Sequence, residues 1–406
     1  MMAVNNIEDT RINLRKTTRQ SLFSLSFDLG GIFAGLLIFA FIDLLSVEPW
    51  MLALYPGILS MRGVVGGFLS GRLTTALHLG TIKGVCLGEE SNELLSLWGS
   101  TAVLAFMSSL FLGLTTTLFG IFLWHTTPFD WVMIFSTVVA TMGLSLLLIS
   151  PITIAIAFLA YRQGLDPDII VYPIISTIAD ILVTFCYVSV LGLTVSTSIG
   201  NLFLILAICV GFSCTVLIFL FRNLGESSFR RTMKETFYTL VVVAIIVNFT
   251  GAILSRIQLQ IGYRTSIYVI YPALINTVGD VGAVVGSTMT TKLALGTLGT
   301  KFRSLRNHSV QILGVWGASL MVFLVLSFIS TLYDRVGILP LLRNILLVSF
   351  TNLFSVAVMV YLVFSIAVLT FRRGLDPDNF VIPIESSLAD AITTFFLLIG
   401  ASLIGL

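Results

Sequence analysis

Asp180 and Asp390 are acidic residues set inside long apolar runs, each in nearly the same local text. One copy reads GLDPDIIVYPIISTIADILVTF at 164–185, the other GLDPDNFVIPIESSLADAITTF at 374–395, with 13 of 22 positions identical. Each central aspartate follows the second aspartate of its GLDPD by twelve residues. On a helix that is a rise of about 18 Å, near the middle of a hydrocarbon core about 30 Å thick. An ionised carboxylate at that depth is unfavourable and by default marks an ion or proton path. Ser176 and Ser386 stand one helical turn before the aspartates, Thr184 and Thr394 one turn after, and Pro173 and Pro383 seven residues before. A proline removes a backbone donor and so frees a carbonyl. The spacing predicts a stripe of oxygen atoms around each carboxylate, and two such stripes would make a path of charge −2. That chemistry suits a hard divalent cation, Mg2+ first, held by one or two carboxylates through its water shell. A soft metal would call for cysteine or histidine, and neither occurs in the two stretches. The plainer alternative is a pair of protonated or hydrogen-bonded aspartates that lock helices together.

Around this pair lie further acids. GLDPD has the grammar of a helix start: Gly164 and Gly374 end one helix, Asp166 and Asp376 cap the next, and Pro167 and Pro377 fit its first turn. Asp168 and Asp378 complement the dipole. Capping alone accounts for these residues. Glu385, whose counterpart is Ile175, lies about 10 Å into its helix and reads as an outer cation site or proton acceptor. A second repeated element also carries charge. YPGILSMRGVVGGFLSGRLTTALHLGT at 55–81 aligns without gaps to YPALINTVGDVGAVVGSTMTTKLALGT at 271–297, with 11 of 27 positions identical. There Arg62 faces Val278 in the alignment, and Val64 faces Asp280. The spacing predicts that Arg62 pairs either with Asp280 or with a central aspartate. Pro272, Gly279, Gly282 and Gly286 interrupt the apolar run 266–296 and suggest a broken helix lining a cavity. Glu89, Glu90 and Glu93 read as a solvated loop.

These residues need a membrane scaffold to position them. The chain has 406 residues, 57% hydrophobic and 10% charged, with mean hydropathy +1.04; soluble domains carry roughly 25% charged residues. Eleven apolar segments follow one another, near 21–45, 50–79, 99–124, 131–160, 168–193, 199–221, 236–255, 266–296, 310–332, 338–370 and 379–405. In lipid the backbone must satisfy its own hydrogen bonds, so the segments are helices and the fold class is an all-α polytopic membrane protein. The net charge of +2 points to no nucleic-acid partner, and the lipid bilayer is the implied one. No cleavage site precedes the first apolar segment, so no signal peptide is read. With the N-terminus cytoplasmic, 15 Lys and Arg fall inside and 4 outside, which places the C-terminus outside, in the cell membrane.

The offsets between the repeated motifs, 216 and 210 residues, organise the chain. A cytoplasmic segment at 1–20 precedes a five-helix repeat at 21–193; a linking helix at 199–221 follows, then a second five-helix repeat at 236–405. The extra crossing gives both repeats the same orientation, related by a pseudo-twofold axis along the membrane normal. A monomeric pseudo-dimer then suffices, with higher assembly left open.

The motifs together resemble the membrane domain of the MgtE family of magnesium transporters and channels. They are similar above all to its tandem-repeat solute-carrier relatives, which carry two such units in one chain. The resemblance implies Mg2+ as the transported ion, no prosthetic group and no enzymatic activity. It also implies that Asp180 and Asp390 bind the permeating ion; Asp280, Ser176, Ser386 and Glu385 are further candidates on the spacing of the residues themselves. The family's glycine-glycine-asparagine signature is replaced here by Arg62-Gly63-Val64 and Val278-Gly279-Asp280. Single-unit bacterial members dimerise and carry cytoplasmic regulatory domains; the short N-terminal segment here does not imply such regulation. Two other readings compete. One is a proton- or sodium-coupled carrier of another solute, with the aspartates binding the coupling ion. The other is an intramembrane aspartyl protease, which would need two carboxylates sharing a proton.

Overall fold

The computed structural model describes residues 15, 18–19, 21–23, 25–79, 89–163, 167–196, 198–225, 227–261, 265–294, 298–299, 304, 309–333, 338–373 and 378–404. Each long apolar run forms a helix. A 3-10 turn, Ser26–Gly30, leads into α1 (Gly31–Ala40) and the short α2 (Ile42–Leu45). Then come α3 (Pro49–Leu79), α4 (Glu89–Leu123), α5 (Pro128–Arg162), α6 (Pro167–Val195) and α7 (Ile199–Asn223). The second half holds α8 (Ser227–Ile261), α9 (Thr265–Ala294), α10 (Ser309–Tyr333), α11 (Ile338–Arg372) and α12 (Asp378–Ile404). Among the described residues there is no strand, and 11 stretches are long and apolar enough to cross a membrane.

Two expectations about local structure change. Glu89, Glu90 and Glu93 open α4 rather than forming a loop. Acids in a first turn complement the positive end of the helix dipole, so the helix runs beyond its apolar stretch. Among the described residues the break expected within 266–296 is not found: α9 is continuous over 30 residues with Pro272 inside it, as α3 is over 31 with Pro56 inside. A proline deletes one backbone hydrogen bond, which a buried helix with packed neighbours tolerates. Gly164–Asp166 and Gly374–Pro377 of the capping motifs lie outside the described residues, although α6 does start at Pro167 and α12 at Asp378.

The chain forms two compact units. One is Leu37–Ser255; the other joins Met1–Leu36 to Arg256–Leu406. We call them the first-repeat and second-repeat units after the motifs they hold. Their boundaries fall inside α1 and α8, the opening helices of the two sequence repeats, so each opening helix packs against the remaining helices of the other repeat. Glycine makes both contacts possible. A Cβ on Gly35 would stand 1.8 Å from the carbonyl oxygen of Val269 in α9; a Cβ on Gly251 would stand 1.8 Å from that of Ala53 in α3. No side chain fits at that approach, which is the usual role of small residues between membrane helices. The two glycines are 216 residues apart, and so are their partners, so the repeat extends to this contact. In the first-repeat unit the Asn248 amide also donates to Thr115 Oγ1 at 2.7 Å, and Phe111–Phe237 and Phe119–Phe249 meet edge to face.

α3 lies deepest in the first-repeat unit, with Trp50, Leu52, Tyr55 and Ile58 fully or almost fully buried, and Ile267–Ile275 of α9 is its equivalent in the second. α7 packs on α4 and α5 but leaves Phe203, Leu206 and Phe221 exposed, as a helix facing lipid would.

Candidate functional site

Each unit builds a polar centre between its most buried helix and the helix carrying the central aspartate. In the first-repeat unit these are α3 and α6. Asp180 is fully buried, and Arg62 of α3, 11% exposed, forms an ion pair with its Oδ1 through Nη2. The Arg62 Nη1 group also donates to the Ser176 carbonyl at 3.4 Å. The choice left open by the sequence, Asp280 or a central aspartate, resolves to Asp180. The Arg62 Nε has no hydrogen-bond partner. Beside it lies a small, mostly apolar cleft bordered by Arg62, Val65, Gly66, Met142, Leu146 and Ser150. A Cβ on Gly66 would meet nothing within 4 Å.

Below the carboxylate runs a chain of hydroxyls. Thr184 Oγ1 donates to the Asp180 carbonyl at 2.6 Å, so its one proton is committed, and the Tyr55 hydroxyl, 3.1 Å away, donates to Thr184. The Tyr187 hydroxyl donates to the Met51 carbonyl, and its ring stacks on Tyr55 with centroids 6.2 Å apart. The threonine therefore ties the aspartate's backbone to α3, and its proton goes to that backbone rather than to the carboxylate.

The second-repeat unit repeats the tie and changes the charges. Thr394 Oγ1 donates to the Asp390 carbonyl at 2.5 Å, and the Tyr271 hydroxyl lies 2.8 Å from Thr394. Tyr271 and Asp390 occupy the positions of Tyr55 and Asp180. At the position of Arg62 stands Val278, fully buried, while Asp280 is half-buried on the same helix. Glu385 of α12 is 2% exposed, and its Oε1 has no hydrogen-bond partner. It lies within electrostatic reach of both Asp280 and Asp390, the latter 6% exposed. The carboxyl group rests against the glycines of α9. A Cβ on Gly282 would stand 2.8 Å from Glu385 Oε1, and one on Gly279 would stand 3.6 Å from it.

Of the residues singled out in the sequence, Asp280, Glu385 and Asp390 thus share one neighbourhood. Asp180 joins the backbone of Ser176 through Arg62, and Ser386 is half-buried on α12. Among the described residues no three histidine, cysteine or acidic side chains are arranged to grip a metal ion directly. The tyrosines were missed by sequence reasoning. Their signal was present in the two aligned Tyr-Pro pairs, because a tyrosine buried in a membrane helix needs a partner for its hydroxyl.

The comparisons with known proteins follow this duplication. The signature of MgtE, a divalent cation transporter, matches residues 55–190 and again residues 271–400. Together the matches span more than half of the chain and contain both polar centres. The chain belongs to the MgtE family. Over 368 residues it is 22% identical to solute carrier family 41 member 3 of Rattus norvegicus, covering 86% of this chain and 78% of that protein. With solute carrier family 41 member 3 of Mus musculus the identity is 23%, covering 86% of this chain and 74% of that protein. No solved structure matches the chain. As a member of this family the chain is an integral membrane protein of the divalent cation transporters.

Proposed function

We propose that the protein moves Mg2+ across the cell membrane along a path lined by Asp180 and Asp390, without enzymatic chemistry. The observation that carries this reading is the recurrence, in both family matches, of a buried aspartate about halfway along a helix that contains a candidate membrane span. Such a carboxylate within a membrane by default marks an ion or proton path. One chain, carrying both repeats, suffices. The N-terminus is cytoplasmic and the C-terminus outside, following the 15-to-4 distribution of basic residues.

Mg2+ dehydrates reluctantly, so carboxylates and hydroxyls take part in its transfer by accepting hydrogen bonds from its water shell. The tyrosine–threonine ties hold each aspartate's backbone in register, which fixes the depth of the carboxylate. Ser176 and Ser386 supply hydroxyls one turn from the aspartates. Uptake into proteoliposomes of the full chain tests the reading with Mg2+, Na+, K+ and protons offered separately. Mg2+ influx that needs none of the other gradients supports it. Absence of divalent flux in correctly inserted protein overturns it.

A further inference from the structure

We infer that Arg62 is a specificity-determining residue: a cation tethered to α3 that holds Asp180 closed and competes with the transported ion for it. This rests on the proposed cation transport and deepens it by naming what admits an ion to the first-repeat unit.

The case begins with a charge that the scaffold does not need. Arg62 lies inside a candidate membrane span, where a guanidinium is unfavourable. A buried ion pair adds little to stability over well-packed apolar residues of similar size. The second-repeat unit does without one at this position. Val278 stands there, fully buried, yet α9 meets α12 through the same tyrosine–threonine tie that joins α3 to α6. Holding the two helices together therefore leaves the arginine unexplained. What it changes is the aspartate. Its Nη2 sits on Oδ1 of a fully buried carboxylate, and its Nη1 reaches the Ser176 carbonyl at 3.4 Å. The charge of Asp180 is met from within the chain, and a second cation arriving there meets a like charge. The guanidinium and the transported ion exclude each other.

The arginine also has room to yield. Its Nε has no hydrogen-bond partner, and the cleft lies beside it. Gly66, one turn further along the same face of α3, would meet nothing within 4 Å if it carried a Cβ. The wall of the cleft is mostly apolar, with Val65, Met142 and Leu146, so the guanidinium gains little there and the closed pair is the resting state. A ligand shifts such an equilibrium only by its differential affinity for the two states. An ion that replaces the guanidinium on Asp180 supplies that difference, and a divalent ion, with twice the charge, supplies more of it than a monovalent one. Arg62 thereby sets a threshold of charge for entry to the first-repeat unit.

The test is the concentration dependence of Mg2+ uptake by the full chain in proteoliposomes, at equal amounts of folded, inserted protein. Arg62→Gln removes the competing charge and is expected to lower KM at least threefold. Arg62→Lys keeps the charge and is expected to stay within twofold of wild type. Gly66→Leu fills the room beside the guanidinium without touching the ion pair; its maximal rate is expected to fall at least fivefold with no loss in unfolding midpoint. Thermal unfolding in detergent reports whether each variant folds; if Arg62→Gln does not, Gly66→Leu carries the decision. A folded Arg62→Gln with a wild-type or higher KM, or a Gly66→Leu that transports at the wild-type rate, overturns the competitor and leaves Arg62 a lock between α3 and α6. Wild-type protein that moves no divalent cation overturns the transport reading itself, and this inference with it.

Discussion

The two units of this protein share a scaffold and differ in what they do with charge. Both bury an aspartate on the helix after GLDPD, and both tie its backbone to the facing helix through a tyrosine and a threonine. In the first-repeat unit that aspartate is neutralised by Arg62, and the space over Gly66 is open. In the second, the position of Arg62 is apolar, Glu385 fills the space over Gly282, and Asp280 and Asp390 lie within its field. The lesson is that a duplicated membrane scaffold conserves the hydrogen bonds that place a residue and varies the charges that give it a task. One unit sets a cationic side chain beside its aspartate; the other sets further acids near its own.

The largest expected effect comes from removing the side-chain cation. Arg62→Ala leaves Asp180 buried without its counter-charge and should lower the stability of the first-repeat unit by about 3–5 kcal/mol. The double variant Arg62→Ala with Asp180→Asn should recover most of that loss. Thermal unfolding of the three variants reads the coupling, and strictly additive losses would mean that the ion pair does not hold this unit together.

The exchanged opening helices come next. Gly35→Ala and Gly251→Ala each push a methyl group into a backbone carbonyl, and each should cost about 1–3 kcal/mol by overpacking. Unfolding of the two variants should show similar losses; a loss at one glycine only would break the equivalence of the two contacts. A sharper contrast is expected at the glycines beside the polar centres. Gly282→Ala crowds Glu385 and should destabilise by about 1 kcal/mol or more, while Gly66→Ala, with open space beside it, should change stability by less than about 0.5 kcal/mol. Unfolding midpoints measured side by side check this. A loss of about 1 kcal/mol is expected from each of Tyr55→Phe and Tyr271→Phe, which remove one hydrogen bond of the tie. Unequal losses would show that the ties are not equivalent.

Much of the scaffold was legible in the sequence. The eleven apolar runs match the eleven described stretches long and apolar enough to cross a membrane, because in lipid an apolar run of that length has few alternatives to a helix. Their ends were less legible: α4 and α8 begin in polar residues outside the apolar stretch, where helix dipole and interface chemistry decide rather than hydropathy. The buried aspartates stood out because charge in an apolar run is rare. The partner of Arg62 did not, since two acids at similar depth satisfy the same spacing. The exchange of opening helices could not be read either, because FAG at 33–35 and FTG at 249–251 announce a close helix contact without saying with which helix. Glu385 stands five residues from Asp390, off that residue's face of α12, so periodicity separates the two. Its neighbours in α9, the glycines, could not be read that way, because periodicity along one helix carries no information about the facing one.

The account stands most directly on Asp390, the aspartate that lies with Asp280 and Glu385. Mg2+ influx into proteoliposomes should be compared for wild type and Asp390→Asn at equal amounts of folded, inserted protein. A fall in flux of at least tenfold is the predicted result; flux at the wild-type rate would contradict the claim that this buried carboxylate carries the ion.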